Sequence, residues 1–178
     1  MFNATSYPEY YSDTEIDSLL QELLKNLDPL PDDLPAIQST REKGLTLTDL
    51  CSVPPQEQEA FFEIACQLCD ADYFQHAAVI ALQLVVHQPN DCRFAFLAGS
   101  CMQRLGFFHT GGRFYQQTFS LRKVPVAMYR LGECLAALGE KEEALKAFNT
   151  TFDMCRGREE LRHLQDRAAA GKAALNTI

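Results

Sequence analysis

The chain has 178 residues, 47% of them apolar, and a formal net charge of −8, which suits one core with a tail or arm rather than two domains. Its charge is uneven: residues 1–50 hold ten acids against three bases, a net of −7, and residues 51–178 hold fourteen against thirteen, a net of −1. With no basic stripe, nucleic acid and anionic membrane surfaces are poor partners. The longest apolar run, about Val79 to Val86, falls far short of the roughly 20 residues that span a bilayer. Met1 to Asp17 lacks the basic start and apolar centre of a secretory signal, so a soluble protein that stays where it is made is expected.

In chain order, Ser12-Asp13-Thr14-Glu15 is a capping-box pattern. Behind it Ile16, Leu19, Leu20, Leu23, Leu24 and Leu27 recur at helical spacing, predicting a helix over about 13–27 with one apolar stripe. A lone helix cannot hide such a stripe, so it must dock on its own body or on a second copy, as a dimer or arm contact. The segment 28–35 holds Pro29, Pro31 and Pro35; these remove donors and fix φ, giving an extended linker. Residues 36–53 complete an acidic arm, 1–53, with a short helix from Thr46 to Cys51 the one element suggested there. Pro54-Pro55 opens the next element, since proline is well placed in a first helical turn.

From Gln56 onward every signal is helical, and the pattern repeats. Ala65, Gly99 and Gly132 fall in register at spacings of 34 and 33 residues, the period of the tetratricopeptide repeat (TPR), a pair of antiparallel helices. Three units follow, about 58–91, 92–124 and 125–157. Position 8, where paired helices nearly touch, is Ala65, Gly99 and Gly132; position 20, its match on the second helix, is Ala77, Gly111 and Ala144. Position 24 carries Ala81, Tyr115 and Phe148, filling space between units. Leu105-Gly106 and Leu138-Gly139 mark glycine C-caps between paired helices. Gly111-Gly112 inside the second helix of unit two is expected to make that helix the softest, each glycine costing roughly 1 kcal/mol against alanine; Gly112 has no packing reason in the repeat pattern. Residues 158–175, with Leu161, Leu164, Ala168 and Leu175 as a thin stripe, supply the capping helix such arrays need. The fold class is therefore all-α: three tandem TPR helix pairs over 54–178, with an N-terminal helical arm and a C-terminal capping helix.

In such an array the first helices line a concave face. The positions that point into it bring Glu59, Phe62, Cys66 and Cys69 from unit one, Arg93, Phe96, Ser100 and Gln103 from unit two, and Val126, Tyr129, Glu133 and Ala136 from unit three. Position 5 is aromatic three times, as Phe62, Phe96 and Tyr129. These rings either tuck sideways into the body or form a row of apolar pockets for a partner, with Arg93, Ser100 and Gln103 bonding its backbone; exposed apolar strips mark interaction sites. A carboxylate clamp for acidic tails needs Lys and Asn where this chain has Phe62 and Cys66, so an apolar, extended ligand is expected.

Chemistry of other kinds finds no support. Cys51, Cys66, Cys69, Cys92, Cys101, Cys134 and Cys155 are odd in number and mostly within helical patterns, reading as small buried residues in a reducing cytosol rather than a disulfide framework. Cys66-Gln67-Leu68-Cys69 lacks the second pair a zinc site wants and the strand-to-helix junction of a redox motif. His76, His87, His109 and His163 are scattered, and phosphate loops and dinucleotide fingerprints are absent. No enzyme activity, cofactor or metal is expected.

The region from Gly44 to Cys155 resembles the class II chaperones of bacterial type III secretion. The likeness rests on Gly44-Leu45-Thr46-Leu47 before the first repeat, Asp91-Cys92-Arg93-Phe94 between units one and two, Gly99-Ser100-Cys101-Met102-Gln103, and Gly132-Glu133-Cys134-Leu135. These are similar to that family's G-x-T, D-x-R-F, G-x-C-x-Q and A-E-C-L segments. The resemblance implies a bacterial cytoplasmic protein that binds translocator subunits through an extended apolar segment before export, as a homodimer joined by N-terminal helices. It departs from the family at Cys66 and Cys69, where aromatics are usual, implying a wider pocket for a larger client side chain. A general TPR scaffold or adaptor is the competing reading, separated from the first by whether the gene lies beside those of large membrane-active clients.

Overall fold

The computed structural model describes residues 11–25, 27–29, 34–42 and 56–177, and among these the regular structure is helical throughout. An arm helix, α1 (Asp13–Leu24), and a short α2 (Pro35–Glu42) precede six helices in antiparallel pairs. The pairs are α3 (Gln58–Asp70) with α4 (Phe74–His87), α5 (Cys92–Arg104) with α6 (Phe108–Leu121), and α7 (Pro125–Ala137) with α8 (Lys141–Cys155). A 3-10 turn, Glu159–Leu161, leads into α9 (Arg162–Thr177). The short helix suggested over Thr46 to Cys51 lies outside the described residues, as do Leu30 to Asp33 of the proline-rich linker.

The turn inside each pair is the same device three times. Tyr73, Phe107 and Glu140 donate their backbone N–H groups to Leu68, Met102 and Leu135, and Asp72, Gly106 and Gly139 donate to Cys69, Gln103 and Ala136. This is the Schellman arrangement, which needs a left-handed residue after the helix. Gly106 and Gly139 supply it at φ 85° and 80°, and Asp72 adopts φ 64° in their place. With the turn fixed, the small residues meet. A side chain on Gly111 would lie 3.1 Å from the Gly99 carbonyl and 3.1 Å from the Gln103 nitrogen, so α5 and α6 touch backbone to backbone. Tyr115 lies over Gly99 and Phe148 over Gly132, each within its own pair.

Gly112 does have a neighbour: its open face looks onto Leu131 and Cys134 of α7. The helix expected to be softest runs through the centre of the molecule, with Gly111 to Thr118 all buried. Phe114 belongs to an apolar cluster built on the first repeat and Tyr115 to a second built on α7, α8 and α9.

Three boundaries differ from the sequence reading. α1 stops at Leu24 rather than about 27, with Lys25 as its cap; Pro29, which disfavours helical backbone at Asp28, bounds any longer helix. Pro35, read as the end of the linker, is the first residue of α2, a position where its missing N–H costs nothing; Ile37 is buried on that helix. The capping helix starts as a 3-10 turn because Gly157 at φ 75° redirects the chain just before it.

The arm folds back on its own body. Ile16 and Leu23 are buried, and Leu19, Leu20, Leu24 and Leu27 pack partly buried on the same cluster. Burying Ile16 and Leu23 stabilises by roughly 1.5–3 kcal/mol each. Polar contacts fix the register: Gln75 donates to the Leu23 carbonyl at 2.6 Å, and the His76 ring to that of Asp28 at 2.6 Å. Arg113 donates to Glu15 at 2.8 Å, and Tyr11 is held between the Phe114 ring, centroids 4.5 Å apart, and the Arg113 guanidinium at 3.7 Å. Because α4 and α6 are the second helices of their pairs, the arm lies on the convex side.

Two predictions follow from these contacts. Gly112→Ala adds a methyl at ordinary contact distance, 3.5–3.6 Å from its neighbours, and should raise unfolding free energy by about 0.5–1 kcal/mol in urea titration. Gly111→Ala, crowded by backbone, should lower it by about 1–3 kcal/mol. The hydrogen bond from Arg113, helped by Ser12, lowers the Glu15 carboxyl from its ordinary 4.5 to about 2. A depressed carboxyl supports the folded arm above its unfolded pKa and loses that support as pH falls through the folded one. Hydrogen exchange of α1, corrected for intrinsic rate, should therefore lose protection between about pH 4.5 and 2. Glu15→Gln should flatten that dependence.

Candidate functional site

The first helices α3, α5 and α7 stand side by side, as the repeat requires, and one open apolar cavity of about 440 Å³ lies across them. Phe62, Cys66 and Cys69 form its wall on α3, and Arg93, Phe96 and Ser100 its wall on α5. Asp70, Cys92, Leu97, Thr118, Arg122 and Val124, which the groove positions of the repeat do not include, complete it with Val126 at the start of α7. Val124 and Arg122 belong to the connection between α6 and α7, which the repeat pattern leaves unspecified. Val126 is among the few large apolar side chains left exposed, at 37%. Among the described linker residues, Asp28, Pro29, Leu34 and Pro35, none lines this cavity.

The remaining residues read as groove-facing, Glu59, Gln103, Tyr129, Glu133 and Ala136, do not line it. Tyr129 is 7% exposed, tilted against Phe148 with centroids 5.6 Å apart and covered by the Arg167 guanidinium of α9 at 4.8 Å. The third position-5 aromatic therefore tucks into the body, because the capping helix reaches over it. Glu133 accepts from Gln103 at 3.2 Å, Arg130 at 2.8 Å and Arg167 at 3.4 Å. Burial pushes the Glu133 carboxyl up, but hydrogen bonds from Tyr129, Arg130 and Gln103 outweigh that and hold it below its usual range.

The polar residues expected to meet a partner's backbone are engaged within the chain. Arg93 pairs with Glu59 at 2.9 Å and Asp91 at 2.8 Å and lies over the Phe62 ring at 5.1 Å. Ser100 donates to the Phe96 carbonyl at 2.9 Å. The Tyr115 hydroxyl, buried in the core, lies 2.8 Å from Gln103 Oε1 and 3.3 Å from Ser100 Oγ. What the cavity presents is thus mainly apolar: the rings of Phe62 and Phe96, the three thiols of Cys66, Cys69 and Cys92, Leu97 and two valines. Burial, with Cys69 and Asp70 close by, pushes the Cys66 thiol up to about 11, so it is neutral at physiological pH and acts as apolar surface.

Among the described residues no group of three or more His, Cys, Asp or Glu is placed to hold a metal, and no helix is long and apolar enough to cross a membrane.

No protein-family model matches the chain, and no curated protein sequence does. Solved structures do. The Yersinia enterocolitica type III secretion chaperone SycD, in complex with a peptide of the translocator YopD, is 20% identical with TM-score 0.66, over 71% of this chain and 97% of that one. A type III secretion complex from Aeromonas hydrophila is 27% identical with TM-score 0.66, over 80% and 96%. PcrH from Pseudomonas aeruginosa is 21% identical with TM-score 0.64, over 73% and 99%. The chain has the TPR fold of the type III secretion translocator chaperones.

Tyr115 ties this groove to the core, and removing its hydroxyl tests the tie. Tyr115→Phe leaves Ser100 and Gln103 without their inner partner and should lower unfolding free energy by about 1 kcal/mol, read by urea titration.

Proposed function

We propose that this chain is a bacterial cytoplasmic secretion chaperone without enzyme activity, and that it holds an extended segment of a translocator protein in its concave groove before export. The observation that carries the reading is the apolar cavity across α3, α5 and α7, on a fold whose solved example holds a translocator peptide. The residues proposed to contact the client are Phe62, Cys66, Cys69, Phe96 and Val126. Arg93 and Ser100 form the polar rim, and Gln103 and Glu133 brace the wall behind it. An extended peptide suits such a site because alternate side chains enter pockets while its backbone stays outside. A scaffold for folded partners would present a flatter and more polar surface.

Co-expression with the membrane-active protein encoded beside its gene should keep that protein soluble and yield a complex that survives gel filtration. Val126→Asp places a charge on the cavity wall at an exposed position. It should weaken the complex at least tenfold by calorimetry while changing unfolding free energy by no more than about 0.5 kcal/mol. Equal affinity in the variant would move the client elsewhere on the surface.

A further inference from the structure

Cys69 and Cys101 come together where the first two repeats meet. Cys69 lies near the end of α3 and Cys101 near the end of α5, 32 positions apart in sequence, with their sulfurs 3.4 Å apart. Cys101 has no exposed surface, whereas Cys69 opens onto the groove cavity. The pair therefore meets solvent through one sulfur only. The equivalent step between repeats two and three, one repeat further on, has Gln103 and Cys134 at the corresponding positions. Repetition of the fold thus does not require two thiols here.

We propose that Cys69 and Cys101 are a peroxide-sensitive thiol pair that closes to a disulfide joining repeat one to repeat two beneath the groove. The geometry permits it: a disulfide bond is about 2.05 Å long, so the sulfurs need approach by only about 1.4 Å, within reach of side-chain rotation and a small helix shift. The roles of the two thiols differ. The hydrogen bond between the two sulfurs lowers the Cys69 thiol and, with burial, raises that of Cys101. Cys69, half-buried but open to the groove and the more readily ionised, is the sulfur that reacts first. Its thiolate attacks a peroxide oxygen and the O–O bond breaks, giving a sulfenic acid on Cys69 and hydroxide. The Cys101 sulfur then attacks Cys69, and the departing hydroxide takes the Cys101 proton to leave as water. In sum two thiols and one hydrogen peroxide give one disulfide and two waters, the thiols oxidised by two electrons and the peroxide reduced. Among the described residues, Cys66, one turn away on the same wall, has no sulfur at this distance.

The test uses the full-length chain, reduced, freed of reductant, exposed to hydrogen peroxide, unfolded in the presence of N-ethylmaleimide and digested without reduction. Mass spectrometry should find a Cys69–Cys101 cross-linked peptide in a chain lighter by two hydrogens and still of unchanged oligomeric state. Cys66→Ser should keep the cross-link and Cys69→Ser should lose it. A cross-link between Cys66 and Cys69, a link between chains, or over-oxidation of Cys69 with Cys101 still alkylated would each overturn the assignment. So would thiols left unoxidised by peroxide. The wild-type map decides the matter even where a cysteine variant folds poorly, and it involves no client.

Discussion

The architecture depends on two helices meeting without side chains between them. At Gly99 and Gly111 the backbones of α5 and α6 are so close that a methyl on either would strike the other helix or the Tyr115 ring. That approach leaves Tyr115 lying flat across Gly99, with its hydroxyl extending past α5 to Ser100 and Gln103. The phenol is buried, and burial raises its pKa above the ordinary value for tyrosine; an unpaired buried hydroxyl would be costly, so it takes partners from the groove side. The inner wall of the groove is therefore held from behind by the core. A substitution that separated α5 from α6 would disturb Ser100 and Gln103 without touching either.

The same rule closes the array at its other end. Phe148 lies between Gly132 on α7 and Gly171 on α9, its ring atoms 2.7 Å and 3.0 Å from where side chains would begin. Glycine on both sides lets α9 settle close enough for Arg167 to cover Tyr129 and reach Glu133. The capping helix thus does more than solvate the last repeat. It occupies the third unit's share of the concave face and limits the open apolar cavity to the first two units and the start of α7.

What the sequence could reveal follows from which contacts are periodic. Helix spans, turns and small-residue contacts recur every 33 or 34 residues, so Ala65, Gly99 and Gly132 announce them three times over. Which way a groove position points is equally periodic, and Phe62 and Phe96 lie where that rule puts them. What such a side chain bonds to is not periodic. Arg93 finds Glu59 at a separation of 34 and Gln103 finds Glu133 at 30, and these pairings need complementary partners on neighbouring units that no single repeat displays. The stripe from Ile16 to Leu27 shows that α1 needs a surface, but only Arg113, a cation within the buried run of α6, hints that the surface is the chain's own. Gly171 and Ile37 give no repeating signal at all, because α9 and α2 each occur once.

The arm's position also bears on how an exposed apolar groove can be tolerated. Self-association through such a surface is opposed by net charge of one sign, and most of this chain's excess, −7 of −8, lies in residues 1–50. Charge placed at the groove mouth would raise the cost of desolvating it when an apolar segment binds. α1 carries Asp13, Glu15, Asp17 and Glu22 and lies on α4 and α6, the convex side, while the groove is built on α3, α5 and α7. The share of that charge carried by α1 is thereby separated from the apolar cavity. The separation depends on the arm remaining docked, and the contact between Glu15 and Arg113 couples that docking to the acid range. Where Glu15 takes up a proton, the arm loses one of its contacts with α6, leaving Tyr11 and the apolar stripe to hold it just as the protective charge falls.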